Sequence, residues 1–208
     1  MERNEYHANI ALAGRVLGPL LLFRPDSEQC APIIEELRSL PSFEVWPFGG
    51  ESDLSRAYAL VSEGLSQGVD RPLVREYSRL FEGPAAFAAP VWGSVYLDRD
   101  CVVFGESTLE LRWWMKRNGI AITYSEREPE DQIGRMLMLM SWLAENKSDL
   151  LPEMLSEHLL TWSHHFFKLF MKDARHPFYE GIALLADITL SAIKEDLKLV
   201  VPVKRFYR

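Results

Sequence analysis

Apolar residues recur along this chain at three- and four-residue intervals, the period that gathers them on one face of an α-helix. Residues 5–23 carry Ile10, Ala13, Leu17, Leu20 and Leu21 at that spacing, which predicts a first helix kinked at Pro19. "SEQCAPIIEELRSL" opens with Ser27, a good N-cap residue, and stops at Pro41, predicting a second helix over 27–40. "PSFEVWPFGG" then reads as a connector. Two further helices are predicted over 52–66 and 71–82, the second with Leu73, Tyr77, Leu80 and Phe81 at i, i+4, i+7 and i+8.

Beyond residue 100 the helical period returns. "STLELRWWMKRNG" has a Ser-x-x-Glu start, Ser107 to Glu110, and a stop at Gly119. "IAITYSE" reads as a short strand or an extended loop, and one strand cannot make a sheet. "PEDQIGRMLMLMSWLAENK" predicts a helix with Pro129 at its first position, its Ile133, Met136, Leu137, Met140, Leu143 and Ala144 forming a core stripe. Helices over 151–174 and 177–199 follow, divided by "RHP". The expected fold is all-α, one helical bundle-like domain over residues 1–208.

One stretch breaks the pattern. "EGPAAFAAPVWGSVYLDRD", residues 82–100, sets out Pro84, Phe87, Pro90, Val91 and Trp92 with no regular period to bury them. It is too apolar for an ordinary surface loop, and so marks a candidate binding loop.

Composition and charge narrow the function. With 48% hydrophobic and 25% charged residues, the 208-residue chain has an ordinary globular makeup that can bury a sizeable core. Its formal net charge of −7 and the lack of any basic block argue against a nucleic-acid partner and suit a cationic one. Two distant cysteines, Cys30 and Cys101, and the absence of a secretory leader in "MERNEYHANIALAG" point to the reducing cytosol. The run "IALAGRVLGPLLLF" includes Arg15 and is too short to span a membrane.

No catalytic signature stands out. There is no Gly-x-x-x-x-Gly-Lys loop, Gly-x-Gly-x-x-Gly, Gly-x-Ser-x-Gly or His-Glu-x-x-His, and "FGGES" lacks the lysine a phosphate cradle needs. His158, His164 and His165 fall within two turns of "EHLLTWSHHFFKLF". On a helical wheel His158 and His165 flank the apolar face and His164 lies nearly opposite, so they do not converge on a metal. No cofactor is expected. "EREPEDQIG" concentrates Glu126, Glu128, Glu130 and Asp131 near a helix start, where carboxylates either stabilise the dipole or form an acidic patch for a partner.

Taken together, "YSRLF" at 77–81, "PVWGSVYLDRD" at 90–100, "FGEST" at 104–108, "EPEDQIG" at 128–134 and the tail "HPFYEGIALLADITL" resemble the DmsD/TorD family, most closely its DmsD branch, over nearly the whole chain. The resemblance implies an all-helical cytoplasmic chaperone, not an enzyme. Its partner would be the twin-arginine signal peptide of a molybdenum-cofactor oxidoreductase precursor, the catalytic subunit of dimethyl sulfoxide reductase or a relative, whose export it delays until the cofactor is loaded. It implies no stable membrane insertion, at most transient contact with the translocase, and either a monomer or a domain-swapped dimer.

The family's motifs map onto Tyr77, Leu80 and Phe81, onto Pro90, Trp92 and Gly93, and onto Glu128, Pro129, Asp131 and Gln132. Val91 stands where a second proline is usual. Gln132 stands where the family has a histidine, which removes a group titrating near neutral pH but keeps a side chain that donates and accepts hydrogen bonds. A twin-arginine leader is a cationic motif ahead of an apolar segment. Phe87, Pro90 and Trp92 are therefore expected to form an apolar wall, with Glu128, Glu130 and Asp131 as negative charge at its mouth. Two alternatives stay open: a GTP-responsive factor or small nucleotide-dependent enzyme, and a family member whose client is cytoplasmic or lacks molybdenum.

Overall fold

The computed structural model describes residues 3–83, 87–121 and 128–208. Glu126 and most of "IAITYSE" lie outside the described residues. Among the described residues ten α-helices run in chain order: α1 Arg3–Leu20, α2 Ala31–Ser39, α3 Glu51–Gly64, α4 Arg71–Tyr77, α5 Ser94–Leu97, α6 Glu106–Arg117, α7 Ile133–Asn146, α8 Leu151–Glu153, α9 Ser163–Asp173 and α10 Pro177–Asp196. Wider π-helical turns, Ser78–Glu82 and Met154–Leu159, extend α4 and α8. The fold is all-α, with no strand among the described residues. Among the described residues no helix is long and apolar enough to cross a membrane.

Two helix pairings organise the core. α1 lies along α7 with small residues at the contact: a side chain at Gly14 would collide with the Leu137 carbonyl, and one at Gly134 would sit 2.6 Å from the Gly18 carbonyl. That close approach also brings the Ser141 hydroxyl 2.8 Å from the Ala11 carbonyl it donates to. α10 packs on α3 and α9, burying Phe178, Tyr179, Ile182, Leu185, Ala186, Leu190 and Ile193. The connector over 41–50 is fastened to α10 by the Trp46 indole, which donates to the Thr189 hydroxyl at 3.0 Å. These contacts join one continuous apolar core.

The structure moves several predicted boundaries, each for a local reason. Pro19 falls one residue before the end of α1, so it marks the exit rather than a kink. α2 begins at Ala31, since the Ser27 hydroxyl accepts from the Cys30 N–H in a turn that precedes the helix. α6 takes its N-terminal partner from outside: the Asp98 carboxylate accepts both the Ser107 N–H, at 3.2 Å, and its hydroxyl, at 3.0 Å. α7 starts at Ile133 instead of Pro129. Residues 131–133 are held extended against the 82–100 loop, with Trp92 and Gln132 in an antiparallel bridge and the Ile133 N–H donating to the Val91 carbonyl at 2.9 Å. The predicted 151–174 helix is broken at Trp162, whose φ of −138° is not helical. Its indole N–H donates to the His158 carbonyl at 2.9 Å, satisfying an acceptor at the break.

After α10 the chain runs back without helical structure over 199–208 and crosses the loop. Tyr207 donates its N–H to the Tyr96 carbonyl at 3.0 Å, and the Phe206 ring stacks on His165 at 4.4 Å.

Candidate binding site

The apolar loop is not a free surface strip but a scaffold. Pro90, Val91 and Gly93 are buried, and Trp92 is half-buried with Phe87 edge-on at 5.9 Å. Gly93 is required by its neighbour: an added Cβ would lie 2.7 Å from Nε1 of Trp162, so only glycine lets the loop close onto that ring. The next residues form α5, whose Tyr96 stacks on Trp162 at 5.8 Å and donates its hydroxyl to the Pro90 carbonyl at 2.7 Å.

Asp131 joins this loop to the start of α7. Its main-chain carbonyl accepts from the Gly93 N–H at 3.1 Å and its Oδ2 from the Ser94 N–H at 2.7 Å. Only 4% exposed, it is a floor residue rather than a rim charge. Burial pushes its carboxyl above the usual aspartate range, against the Ser94 N–H bond and the neighbouring Ser94 and Thr108 hydroxyls, which favour the ionised form. The other oxygen, Oδ1, is enclosed without a hydrogen-bond partner among the described residues, and Asp131 lines a cavity.

That cavity, about 180 Å³, is bounded by Gly93, Leu97, Leu111 and Trp162 and by the carboxylates of Asp98, Glu106, Glu110, Asp131 and Glu157. Lys204 lines it and makes no salt bridge among the described residues. His158 stands in the wall and is depressed to about 4, chiefly by burial, with Lys204 and Arg117 opposing its protonation and Glu153 favouring it. It is therefore neutral at physiological pH, and the lining is strongly anionic. Glu110, Glu157 and His158 also border a wider depression of about 790 Å³, whose other walls include Trp113 and Trp114. Trp113 is 70% exposed.

The remaining sequence candidates lie elsewhere. Tyr77 is buried, donates its hydroxyl to the Leu22 carbonyl at 2.7 Å and stacks on Phe81 at 4.8 Å, and Phe81 packs on Phe170 and Tyr179 in the core. Leu80 and Phe87 border a separate cavity of about 240 Å³ with Arg79, Asp173 and Arg175. Pro129 is buried. Glu128 and Glu130 are already engaged within the chain, Glu128 with Arg135 at 2.8 Å and Glu130 with Arg112. Gln132, also buried, caps α7 through the Arg135 N–H and donates to the Leu21 carbonyl at 2.7 Å.

Of the eleven sequence candidates, the structure brings Gly93 and Asp131 to the acidic cavity. Asp98, Glu106, Glu110, Glu157 and Trp113 complete the two recesses. In the sequence Glu106, Glu110 and Trp113 did carry a signal, since spacings of four and three place them on one face of α6. Asp98 and Glu157 carried none.

Comparison with known proteins gives the family. The sequence profile of the nitrate reductase delta subunit family matches residues 51–168. The chain is 39% identical over 201 residues to the Tat proofreading chaperone DmsD of Salmonella typhimurium, covering 96% of each chain. It belongs to the DmsD/TorD family of redox enzyme maturation chaperones. A probable Tat proofreading chaperone DmsD of Haemophilus influenzae is 38% identical over 200 residues, covering 96% of this chain and 97% of that one. The chaperone protein YcdY of Escherichia coli is 27% identical over 189 residues, with 88% and 93% covered. Within this DmsD/TorD chain, Val91 at the usual proline position supplies the carbonyl that receives the Ile133 N–H, and its side chain is buried.

Proposed function

We propose that this chaperone binds the twin-arginine signal peptide of a molybdenum-cofactor oxidoreductase precursor in the cytoplasm and holds back export until the cofactor is in place. It acts by binding, without catalysis. One observation carries the reading: an anionic cavity shares a wall with a wider depression bordered by two tryptophans. A leader presents the complementary order, a cationic pair followed by an apolar segment, and guanidinium groups gain most from carboxylates in a partly dry site. Its DmsD relatives, described as Tat proofreading chaperones, support the same partner class.

Titration calorimetry with a synthetic leader peptide, with the same peptide carrying glutamines for both arginines, and with GTP tests it. Saturable binding of the first, marked weakening of the second and no heat from GTP are expected. GTP binding without leader binding would favour a nucleotide-responsive factor instead. Co-purification of the precursor from cells identifies the client and separates a molybdoenzyme from a cytoplasmic or metal-free one.

A further inference from the structure

The acidic cavity has a basic neighbour supplied by the chain itself. Segment 201–208, VPVKRFYR, carries Lys204, Arg205 and Arg208 around Phe206 and Tyr207. It is laid across the loop by specific contacts. Phe206 stacks on His165 with an angle of 11° between the rings, Tyr207 donates its N–H to the Tyr96 carbonyl at 3.0 Å, and Arg208 donates to the Phe87 carbonyl. Lys204 thereby reaches the cavity wall. A non-helical segment pinned by a main-chain hydrogen bond, an aromatic ring on a platform and a cation at an acidic recess are the features of a bound peptide.

The hold is incomplete. Lys204 makes no salt bridge among the described residues, so five carboxylates in the lining face one cation. Asp131, buried beside them, lines the cavity, and its Oδ1 has no hydrogen-bond partner among the described residues. A buried carboxylate oxygen without a donor is costly, and a basic group entering from outside would supply one.

We propose that this cavity is a subsite for a basic side chain of an extended peptide, and that segment 201–208 occupies its entrance in cis as a weak internal competitor. That the external competitor is a twin-arginine leader rests on the function proposed above; the subsite and its internal occupant do not. Tethering gives the segment a high effective concentration, so even feeble intrinsic contacts weaken an outside peptide by roughly three- to tenfold. A peptide that also fills the neighbouring tryptophan-bordered depression outcompetes it, because segment 201–208 contributes no residue to the lining of that recess.

The test uses the full chain and its double variant Lys204→Ala/Phe206→Ala. Both side chains are exposed, Phe206 by 39%, and circular dichroism and melting confirm that the fold is kept. The first probe is the synthetic peptide VPVKRFYR, followed through the NMR signals of the tryptophan indoles, which register weak binding. The double variant is expected to bind it several-fold more tightly than the parent chain, and adding Glu110→Gln/Glu157→Gln is expected to abolish the gain. Equal binding by parent and double variant, or binding indifferent to the two glutamines, overturns the proposal. The second probe is a leader peptide with two adjacent arginines, expected to bind the double variant three- to tenfold more tightly. If VPVKRFYR behaves as expected while the leader binds neither protein, the subsite stands and the twin-arginine reading falls. If the leader binds the parent and loses affinity in the double variant, the segment assists the ligand and competition is wrong.

Discussion

Gln132 donates from Nε2 to the Leu21 carbonyl at 2.7 Å while its Oε1 accepts the Arg135 N–H at 2.9 Å, so one buried side chain ties the exit of α1 to the start of α7. The family histidine can do the same when neutral, since one ring nitrogen donates and the other accepts. Gln132→Ala leaves a buried carbonyl unpaired and removes a helix cap, and should cost about 2–4 kcal/mol in denaturant unfolding. Gln132→His should recover most of that at pH 8. It should lose stability again as the pH falls and the ring takes a proton, because imidazolium cannot accept the Arg135 N–H. The parent glutamine should show no such step, and a pH-independent Gln132→His variant would discount this pairing.

Asp131 allows stability and binding to be separated. Its folded-state carboxyl lies above the ordinary range, so keeping it ionised at neutral pH works against the fold. Asp131→Asn retains an oxygen for the Ser94 N–H and removes that charge. The variant should melt no lower than the parent, while its affinity for a leader peptide falls by about five- to tenfold, roughly 1–1.4 kcal/mol. The glutamine-substituted leader should lose almost nothing. A lower melting temperature with unchanged leader affinity would make Asp131 a purely structural residue.

His158 should set part of the acid sensitivity. Its value falls from 6.5 to about 4 on folding, chiefly through burial, so the unfolded chain takes up a proton that the native chain refuses. The native state therefore has this contribution in full above pH 6.5 and loses it progressively as pH falls towards 4. The loss reaches at most about 3 kcal/mol at the lower end. Urea titrations at pH 7, 6, 5 and 4 should show a shallower decline in His158→Phe than in the parent. Parallel declines would assign the acid sensitivity to other groups.

The fold was largely legible because the 3.6-residue period survives in every long helix, and α3, α6 and α10 lie within two residues of their predicted starts. What escaped was set by distant partners. Nothing local in "PEDQIG" says that residues 131–133 will pair with 91–93, yet that pairing delays α7 to Ile133. Nothing in "LLTWSHH" announces that Trp162 will leave the helix to cap the His158 carbonyl. The site was harder still. Acidic residues adjacent in sequence, Glu128 and Glu130, were taken up by Arg135 and Arg112. The cavity instead assembles carboxylates from near α5, from α6, from the α7 entry and from the turn after α8.

Trp113, at the apolar end of the proposed site, and Trp92, in the 82–100 loop, should separate on substitution. Trp92 is half-buried, packs on Phe87, bridges to Gln132 and encloses its own indole nitrogen, so it holds the loop in place. Trp113 stands 70% exposed beside the wide depression, with Lys116 near its face at 5.6 Å. Truncating an exposed ring costs the fold little, whereas the same ring under an apolar ligand segment is an anchor of about 1–3 kcal/mol. Trp113→Ala should therefore keep the melting temperature and weaken the leader by roughly five- to a hundredfold, and shortening the leader's apolar segment should remove the difference between variant and parent. Trp92→Ala should instead lower the melting temperature through loss of packing, by about 2–4 kcal/mol, with its effect on affinity tracking the unfolded fraction. If Trp113→Ala binds like the parent while Trp92→Ala loses affinity at full stability, the apolar segment docks on the 82–100 loop, and the wide depression has no part in recognition.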